Sequence, residues 1–219
     1  MSTKGALYIL ESSDSINSVA DLRGRTVYLA GQGSNPEYIL NYLLESAGLT
    51  VGQDVFVEFT SAHDEAAALF AAGIADVVML PEPNVAAVLV KSENVRIALD
   101  ITEEWDKISG GGELIMGCVV VRNEFLRDNR AAVDAFLREY EESVKYMNEN
   151  IDDGAALCAQ YEIIPSELIA KAAIPRSAII YMDGADMQTA INHYFDVLFA
   201  ADPSSIGGAI PDEEFYYTK

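Results

Sequence analysis

Short apolar segments alternate with segments of helical spacing across the first half of this chain. The apolar segments are TVYLA (26–30), VFVEF (55–59), ADVVMLP (75–81) and VRIALD (95–100). The segments that follow the first three carry apolar residues three and four positions apart, as one face of a helix does. Strand–helix alternation at this spacing is typical of a parallel sheet, so we predict the α/β fold class.

Two further apolar segments flank this block, ALYIL (6–10) before it and GELIMGCVVV (112–121) after it. Both predict strands, and a chain that enters and leaves a lobe on two adjacent strands has the connectivity of a hinge. After Val121 the pattern changes to helices, of which the segment 129–150 is the longest. The sequence therefore predicts an α/β part and a mainly helical part.

Composition limits the partners and cofactors that the chain can have. The 35 acidic and 14 basic residues give a net charge of −21 without any basic stripe, which excludes nucleic acid and anionic membrane surfaces. His63 and His193 lie far apart in the sequence, so we predict neither a metal site nor a cofactor. Cys118 and Cys158 have apolar neighbours, which predicts two buried free thiols.

Glycines and polar residues follow three predicted strands at their C-terminal ends, the edge where open α/β sheets bind ligands. They are Gly31, Gln32, Gly33, Ser34, Asn35, Ser61, His63, Pro81 and Glu82. We expect Ser34 or Asn35 as the N-cap of a helix with Pro36 at its first position. The N–H groups at this helix end would suit an anionic ligand, and an ordinary strand–helix turn is the alternative interpretation.

Single residues at this edge leave their roles open. His63 is either a donor to a ligand or the first residue of a helix, and Glu82 either binds a ligand donor or lies in solvent at a helix N-terminus. Trp105 either packs in the core or stacks on a ligand. The loops match neither a dinucleotide-binding nor a Walker pattern, and no nucleophile elbow is present, so we predict no catalytic residue.

Three segments of the chain carry a family resemblance when they are taken in order. The most specific parts of these segments are DLRGRTV (21–27), GIADVVMLPEP (73–83) and VVVRNEFLRDN (119–129). The chain resembles the substrate-binding proteins of ABC importers of the nitrate, sulfonate and taurine type, which includes thiamine-precursor binders.

The resemblance implies a type II periplasmic-binding-protein-like fold of two lobes with the ligand between them. The second lobe, residues 11–112, would be complete and would carry the ligand loops. Residues 1–10 and 113–219 would form hinge strands, Leu7–Leu10 and Leu114–Val121, and a partial, mostly helical first lobe. Because this chain begins where the first part of that lobe would end, we expect exposed apolar surface, through which a homodimer can form.

The resemblance also implies the function, a non-enzymatic solute-binding component of an ABC importer that works with a permease. The ligand would be a small organic molecule or anion, either sulfonate-, nitrate- or taurine-like or thiamine-precursor-like. The location would be extracytoplasmic, as a periplasmic protein or surface lipoprotein, although the N-terminal segment has no secretory pattern. The alternatives are a cytoplasmic enzyme and a ligand sensor on the same fold.

Overall fold

The computed structural model describes residues 1–110 and 112–217. Three residues of the predicted lobes lie outside the described residues: Gly111, Thr218 and Lys219. The strands are β1 Thr3–Lys4, β2 Leu7–Glu11, β3 Thr26–Ala30, β4 Phe56–Thr60, β5 Val77–Pro81, β6 Arg96–Asp100 and β7 Ile115–Gly117. The helices are α1 Asn35–Ser46, α2 His63–Ala71, α3 Asn84–Lys91, α4 Ile101–Ile108, α5 Asn123–Asp128, α6 Arg130–Glu149, α7 Ile151–Gln160, α8 Glu167–Ala173 and α9 Gly184–Ala201. Short 3₁₀ turns lie at Val19–Leu22, Ile174–Arg176, Pro203–Ile206 and Glu213–Phe215.

Five strands form the central sheet in the order β4–β3–β5–β2–β6. β3 runs parallel to β4 and β5, whereas β2 runs antiparallel to both of its neighbours, β5 and β6. The four strands predicted to form a parallel sheet, β3, β4, β5 and β6, do run in the same direction, and β2, which was predicted outside this sheet, lies antiparallel between β5 and β6. The α/β class itself is confirmed by the alternating strands and helices.

The two strands outside the central sheet, among the described residues, are β1 and β7. They pair antiparallel, with Thr3 opposite Gly117. Leu7–Leu10, one of the two predicted hinge strands, is buried inside the central sheet as part of β2. Gly5 and Ala6, between β1 and β2, both have positive φ. The predicted strand over 112–121 is paired only at β7, because β1 is two residues long.

Helices cover both faces of the central sheet. α1, α4 and α9 pack with Leu7, Ile9 and Leu29 on one face, and α2 and α3 pack with Leu10 and Leu80 on the other. The described part of the chain contains no helix with the length and apolar character that a membrane crossing requires.

Helix α4 is absent from the sequence prediction. Asp100 caps it by accepting from the N–H groups of Thr102 and Glu103. Trp105 within it is fully buried, and its indole N–H donates to the carbonyl of Gly112 at 2.8 Å. Of the two roles that were open for Trp105, the structure therefore places it in the core.

A groove with an apolar lining runs along the helical part, next to the end of β7. It has a cavity volume of about 880 Å³, and its lining includes exposed Val120, Phe125, Phe136 and Phe215. Val120 is 78% exposed. This is the exposed apolar surface that the sequence predicted for the helical part.

The free thiols differ in their environment. Cys158 is buried between helices, as predicted, whereas Cys118 is exposed in the lining of the groove. The prediction of two buried thiols is therefore wrong for Cys118. Its apolar neighbours Val119 and Val120 are exposed as well, because the chain beyond Gly117 has no partner strand among the described residues.

Glu11 is a buried carboxylate at the end of the sheet opposite to the predicted ligand loops. It accepts from the N–H groups of Ser15 and Ile16 and from the hydroxyl of Ser13, and it pairs with Arg96 at 2.5 Å. Burial raises the pKa of Glu11, but these hydrogen bonds outweigh burial and lower the pKa to about 2. The ionised carboxylate therefore holds the loop after β2 against the sheet.

We expect Glu11→Gln to lower the free energy of unfolding at neutral pH by about 2–3 kcal/mol, because it leaves Arg96 without its buried partner. Since the folded pKa lies below the usual 4.5, this contribution is present above pH 4.5 and is lost as the pH falls toward 2. Urea unfolding of both proteins across this range measures the difference. Glu58→Gln, at an exposed position of β4, is the control, and equal effects of the two substitutions would contradict the argument.

We also expect a thiol reagent to label Cys118 in the folded protein and Cys158 only after unfolding. Reactivity requires access to the sulfur, and Cys158 is 7% exposed. Counting modified thiols with and without denaturant tests this expectation. Cys118→Ser is the control, because it removes the thiol that should react rapidly in the folded protein. Two fast thiols in the folded protein would contradict the packing of α7.

Candidate functional site

The loops that follow β3, β4 and β5 emerge at one edge of the sheet. Ala30 lies opposite Thr60, and Tyr28 lies opposite Val78, so these three parallel strands end at nearly the same level. We call this edge the rim and define it by residues 31–35, 61–63 and 81–82. The structure thus brings together the predicted ligand loops, in the spatial order Ser61, Gly31, Glu82.

The first rim loop has the backbone that its glycines predicted. Gly31 and Gly33 both have positive φ, and a Cβ on Gly31 would lie 2.7 Å from the hydroxyl of Ser34. Ser34 is the N-cap, so α1 begins at Asn35 and Pro36 is its second residue rather than its first. Gln32 is exposed at the tip of the loop.

Backbone donors at the rim are already occupied by acidic side chains of the chain itself. The N–H of Gly33 donates to Glu37 at 2.6 Å, and the N–H and hydroxyl of Ser61 donate to Glu65 at 2.8 and 2.6 Å. The positive N-terminal ends of α1 and α2 also stabilise the negative charge of these two carboxylates. The expectation that these N–H groups are free for an anion is therefore wrong for Gly33 and Ser61.

His63 is the first residue of α2, so the structure places it at a helix N-terminus on the rim. Its Nδ1 is buried and has no hydrogen-bond partner among the described residues. Burial lowers the pKa of the imidazole, and Asp64 offsets only part of this effect. Burial therefore favours the neutral imidazole, whose Nδ1 lies in the interior without a partner among the described residues.

Glu82 follows Pro81 at the end of β5, next to the N-terminus of α3, but it does not lie in solvent, which was one of its two predicted environments. Its side chain is 1% exposed and forms an ion pair with Arg176 at 2.5 Å. Its second oxygen accepts from the N–H of Ala86 at 3.0 Å and so caps α3. Burial raises the pKa of the Glu82 carboxyl, and the bonds from Arg176 and Ala86 offset only part of that rise.

The C-terminal helical part reaches the rim at two places. Arg176, in the 3₁₀ turn after α8, contacts Glu82, and the hydroxyl of Tyr8 donates to the carbonyl of Arg176 at 2.9 Å. Near the first loop, the hydroxyl of Tyr38 lies 3.2 Å from Asp202, at the end of α9. The sequence analysis did not find Arg176, because 94 residues separate it from Glu82.

The rim therefore combines neutral and charged groups on a rigid sheet edge that faces a second part of the chain. Such an arrangement can orient a small ligand through hydrogen bonds. The described residues contain no cluster of histidine, cysteine or acidic side chains that could hold a metal ion.

Comparisons with known proteins identify the family and the fold. The sequence matches the family model described as NMT1/THI5 like over residues 2–153. No curated protein sequence matches the chain at a significant level.

Several solved structures share the fold. An ABC transporter protein from Parabacteroides distasonis has a TM-score of 0.79 and 20% identity, with all of this chain and 73% of that chain covered. The periplasmic aliphatic sulphonate binding protein SsuA from Escherichia coli has a TM-score of 0.68 and 22% identity, with 98% and 68% covered. The desulfurization enzyme DSZB has a TM-score of 0.61 and 13% identity, with 96% and 75% covered. These similarities show that the chain has the α/β fold of periplasmic binding proteins.

Proposed function

The chain belongs to the NMT1/THI5-like family, and we propose that it is the solute-binding component of an ABC-type importer. The observation that carries this proposal is the rim, where three strand ends meet and face the C-terminal part of the chain. Open α/β sheets bind ligands at such an edge. The fold shared with a periplasmic sulphonate-binding protein and with an ABC transporter protein supports it.

The ligand lies between the rim and the C-terminal part. The rim residues that we propose to line its site are the predicted ones: Gly31, Gln32, Gly33, Ser34, Asn35, Ser61, His63, Pro81 and Glu82. Two contacts, Glu82 with Arg176 and Tyr38 with Asp202, join the two parts and would change as the lobes close. The solute is a small organic molecule or anion, sulfonate-, nitrate- or taurine-like or thiamine-precursor-like.

The partner of the loaded protein is the permease of the importer, and the location is extracytoplasmic. The sulphonate-binding protein SsuA from Escherichia coli, which shares the fold, is periplasmic, and this supports the location. The acidic surface argues against nucleic acid as a partner.

A second candidate function is an enzyme on the same fold. The similarity to the desulfurization enzyme DSZB favours it, and the neutral imidazole of His63 at the rim could act as a general base. Glu82 is a poor candidate for an acid or base, because both of its oxygens are engaged in the interior. A binding protein remains the better-supported function.

A second copy of this chain is the partner that we propose for the apolar groove. Its four charged side chains, Arg122, Arg130, Asp183 and Glu214, balance to zero, whereas the whole chain carries −21. Two copies therefore meet less repulsion at this face than the net charge of the chain alone would produce. The backbone of residues 118–121 makes no backbone hydrogen bond among the described residues, so two copies could pair these segments antiparallel.

We expect at least one ligand class to raise the melting temperature of the protein. The classes to test are alkanesulfonates, small carboxylates and aminopyrimidines, each measured by thermal shift. A ligand at one hundred times its dissociation constant stabilises the folded state by about 2.7 kcal/mol, which is easily measured. A flat response to all three classes would reject the binding function at this site.

The same ligands separate binding from catalysis. Under the proposed function, the ligand is recovered unchanged by mass spectrometry after prolonged incubation. Chemical turnover that disappears in His63→Ala would instead establish the enzyme. Asn84→Ala, which changes a neighbouring polar residue that bonds Asp64, is the control for local disturbance of the rim.

We expect sedimentation velocity to show a dimer that becomes more stable as salt rises from low to about 0.15 M, because salt screens the repulsion between two acidic chains. Val120→Asp should give a monomer, since it places a charge in the apolar interface. Val90→Asp, at an exposed position of α3 outside the groove, is the matched control. A monomer at all salt concentrations would rule out the second copy as occupant of the groove.

A further inference from the structure

Arg176 is held at the rim by its main chain as well as by its side chain. Its carbonyl accepts from the hydroxyl of Tyr8 at 2.9 Å, and its Nε donates to Glu82 at 2.5 Å. Tyr8 belongs to β2 and Glu82 follows β5, and these two strands are neighbours in the sheet. The guanidinium is therefore fixed where both strands reach the ligand edge.

Arg176 brings a positive charge to a rim whose predicted loops contain neither lysine nor arginine. Within the described residues, no other ion pair involves a predicted site residue. The carboxylates of Glu37 and Glu65 already occupy backbone donors of the other two loops. Arg176 is thus the positive side chain that a rim ligand would meet.

The guanidinium still has donor capacity that the protein does not use. Nε is bonded to Glu82, whereas Nη2 is buried and has no hydrogen-bond partner among the described residues. A guanidinium carries five N–H donors, and it matches the paired oxygens of carboxylates and other oxyanions. Burying a charged donor without a partner is unfavourable, so an acceptor on a ligand would stabilise this nitrogen.

Glu82, in contrast, has little left to offer a ligand. One oxygen accepts from Arg176, the other accepts from the N–H of Ala86, and the side chain is 1% exposed. The hydrogen-bonding group that the Glu82–Arg176 pair leaves unused is therefore a donor, Nη2 of Arg176. This favours an anionic ligand over a cationic or amine-bearing one.

We propose that Arg176 is the anion-recognition residue of the site, that Glu82 is its internal counter-ion, and that the ligand is an organic oxyanion, a sulfonate or carboxylate. This inference rests on the proposed ligand-binding function at the rim and specifies the class of its ligand. An oxygen of the ligand accepts from Nη2 while Glu82 keeps Nε. Because Nη2 is buried, binding is coupled to a small opening between the 3₁₀ turn and the rim.

The test uses the full chain and isothermal titration with ethanesulfonate, acetate and the uncharged isostere ethyl methyl sulfone. We expect the wild type to bind one or both anions and not the sulfone. Arg176→Met should weaken anion binding by about tenfold to a hundredfold, the range for loss of a charge-assisted hydrogen bond. Glu82→Gln should strengthen it by several-fold, because the substitution removes the competing negative charge and keeps an acceptor for Ala86.

The double variant Glu82→Gln/Arg176→Met guards against a folding defect, since Arg176→Met alone leaves Glu82 buried without its partner. It removes both charges and should retain the circular dichroism of the wild type while losing anion binding. Unchanged anion binding in Arg176→Met, or weaker binding in Glu82→Gln, would overturn the inference.

The outcomes also separate this inference from the proposed function. Binding of an aminopyrimidine at the rim without any anion binding overturns the role of Arg176 and leaves the binding function standing. Anion binding that depends on Arg176, in a protein that supports no import by a permease, supports the inference and removes the importer.

Discussion

Hydrogen bonds between β3 and its neighbours β4 and β5 set Ala30 opposite Thr60 and Tyr28 opposite Val78. This parallel register places three strand ends level with one another, and every loop at the rim depends on it. A shift of one residue would turn the buried side chains of a strand to the other face of the sheet, where α1 or α2 packs. The apolar cores on both faces therefore fix the register, and through it the position of the rim.

Two buried carboxylates show how the two ends of the sheet differ. Glu11, at the end away from the rim, receives enough hydrogen bonds that its pKa falls to about 2, and its partner Arg96 also bonds the carbonyl of Ile16. Burial instead raises the pKa of Glu82 at the rim, where Arg176 keeps a buried donor without a partner. At the end away from the rim the buried groups are hydrogen-bonded to one another, as expected of a structural contact. At the rim, a donor of Arg176 remains unused and could bind a ligand.

The sequence predicted those features that depend on local pattern. Strand β3 is exact, a helix follows each of the first three predicted strands, and α6, Arg130–Glu149, lies within one residue of the predicted segment 129–150 at each end. Helix α4 was missed, since its polar residues Glu103, Glu104 and Asp106 obscure the helical spacing of its two buried residues, Ile101 and Trp105. The environment of Cys118 was misjudged because apolar neighbours indicate burial only where a partner strand exists.

Contacts between distant segments could not be predicted, and they decide the chemistry of the site. The rim loops were found from their place at strand ends, but the N–H groups of Gly33 and Ser61 already donate to Glu37 and Glu65. These two donors are therefore paired without a ligand. The same bonds place a carboxylate beside each of the two helix N-termini, which makes these helix ends less favourable for an anion. Discrimination must then come from a side chain with unused donors, and such a side chain, Arg176, enters the rim from the far end of the sequence.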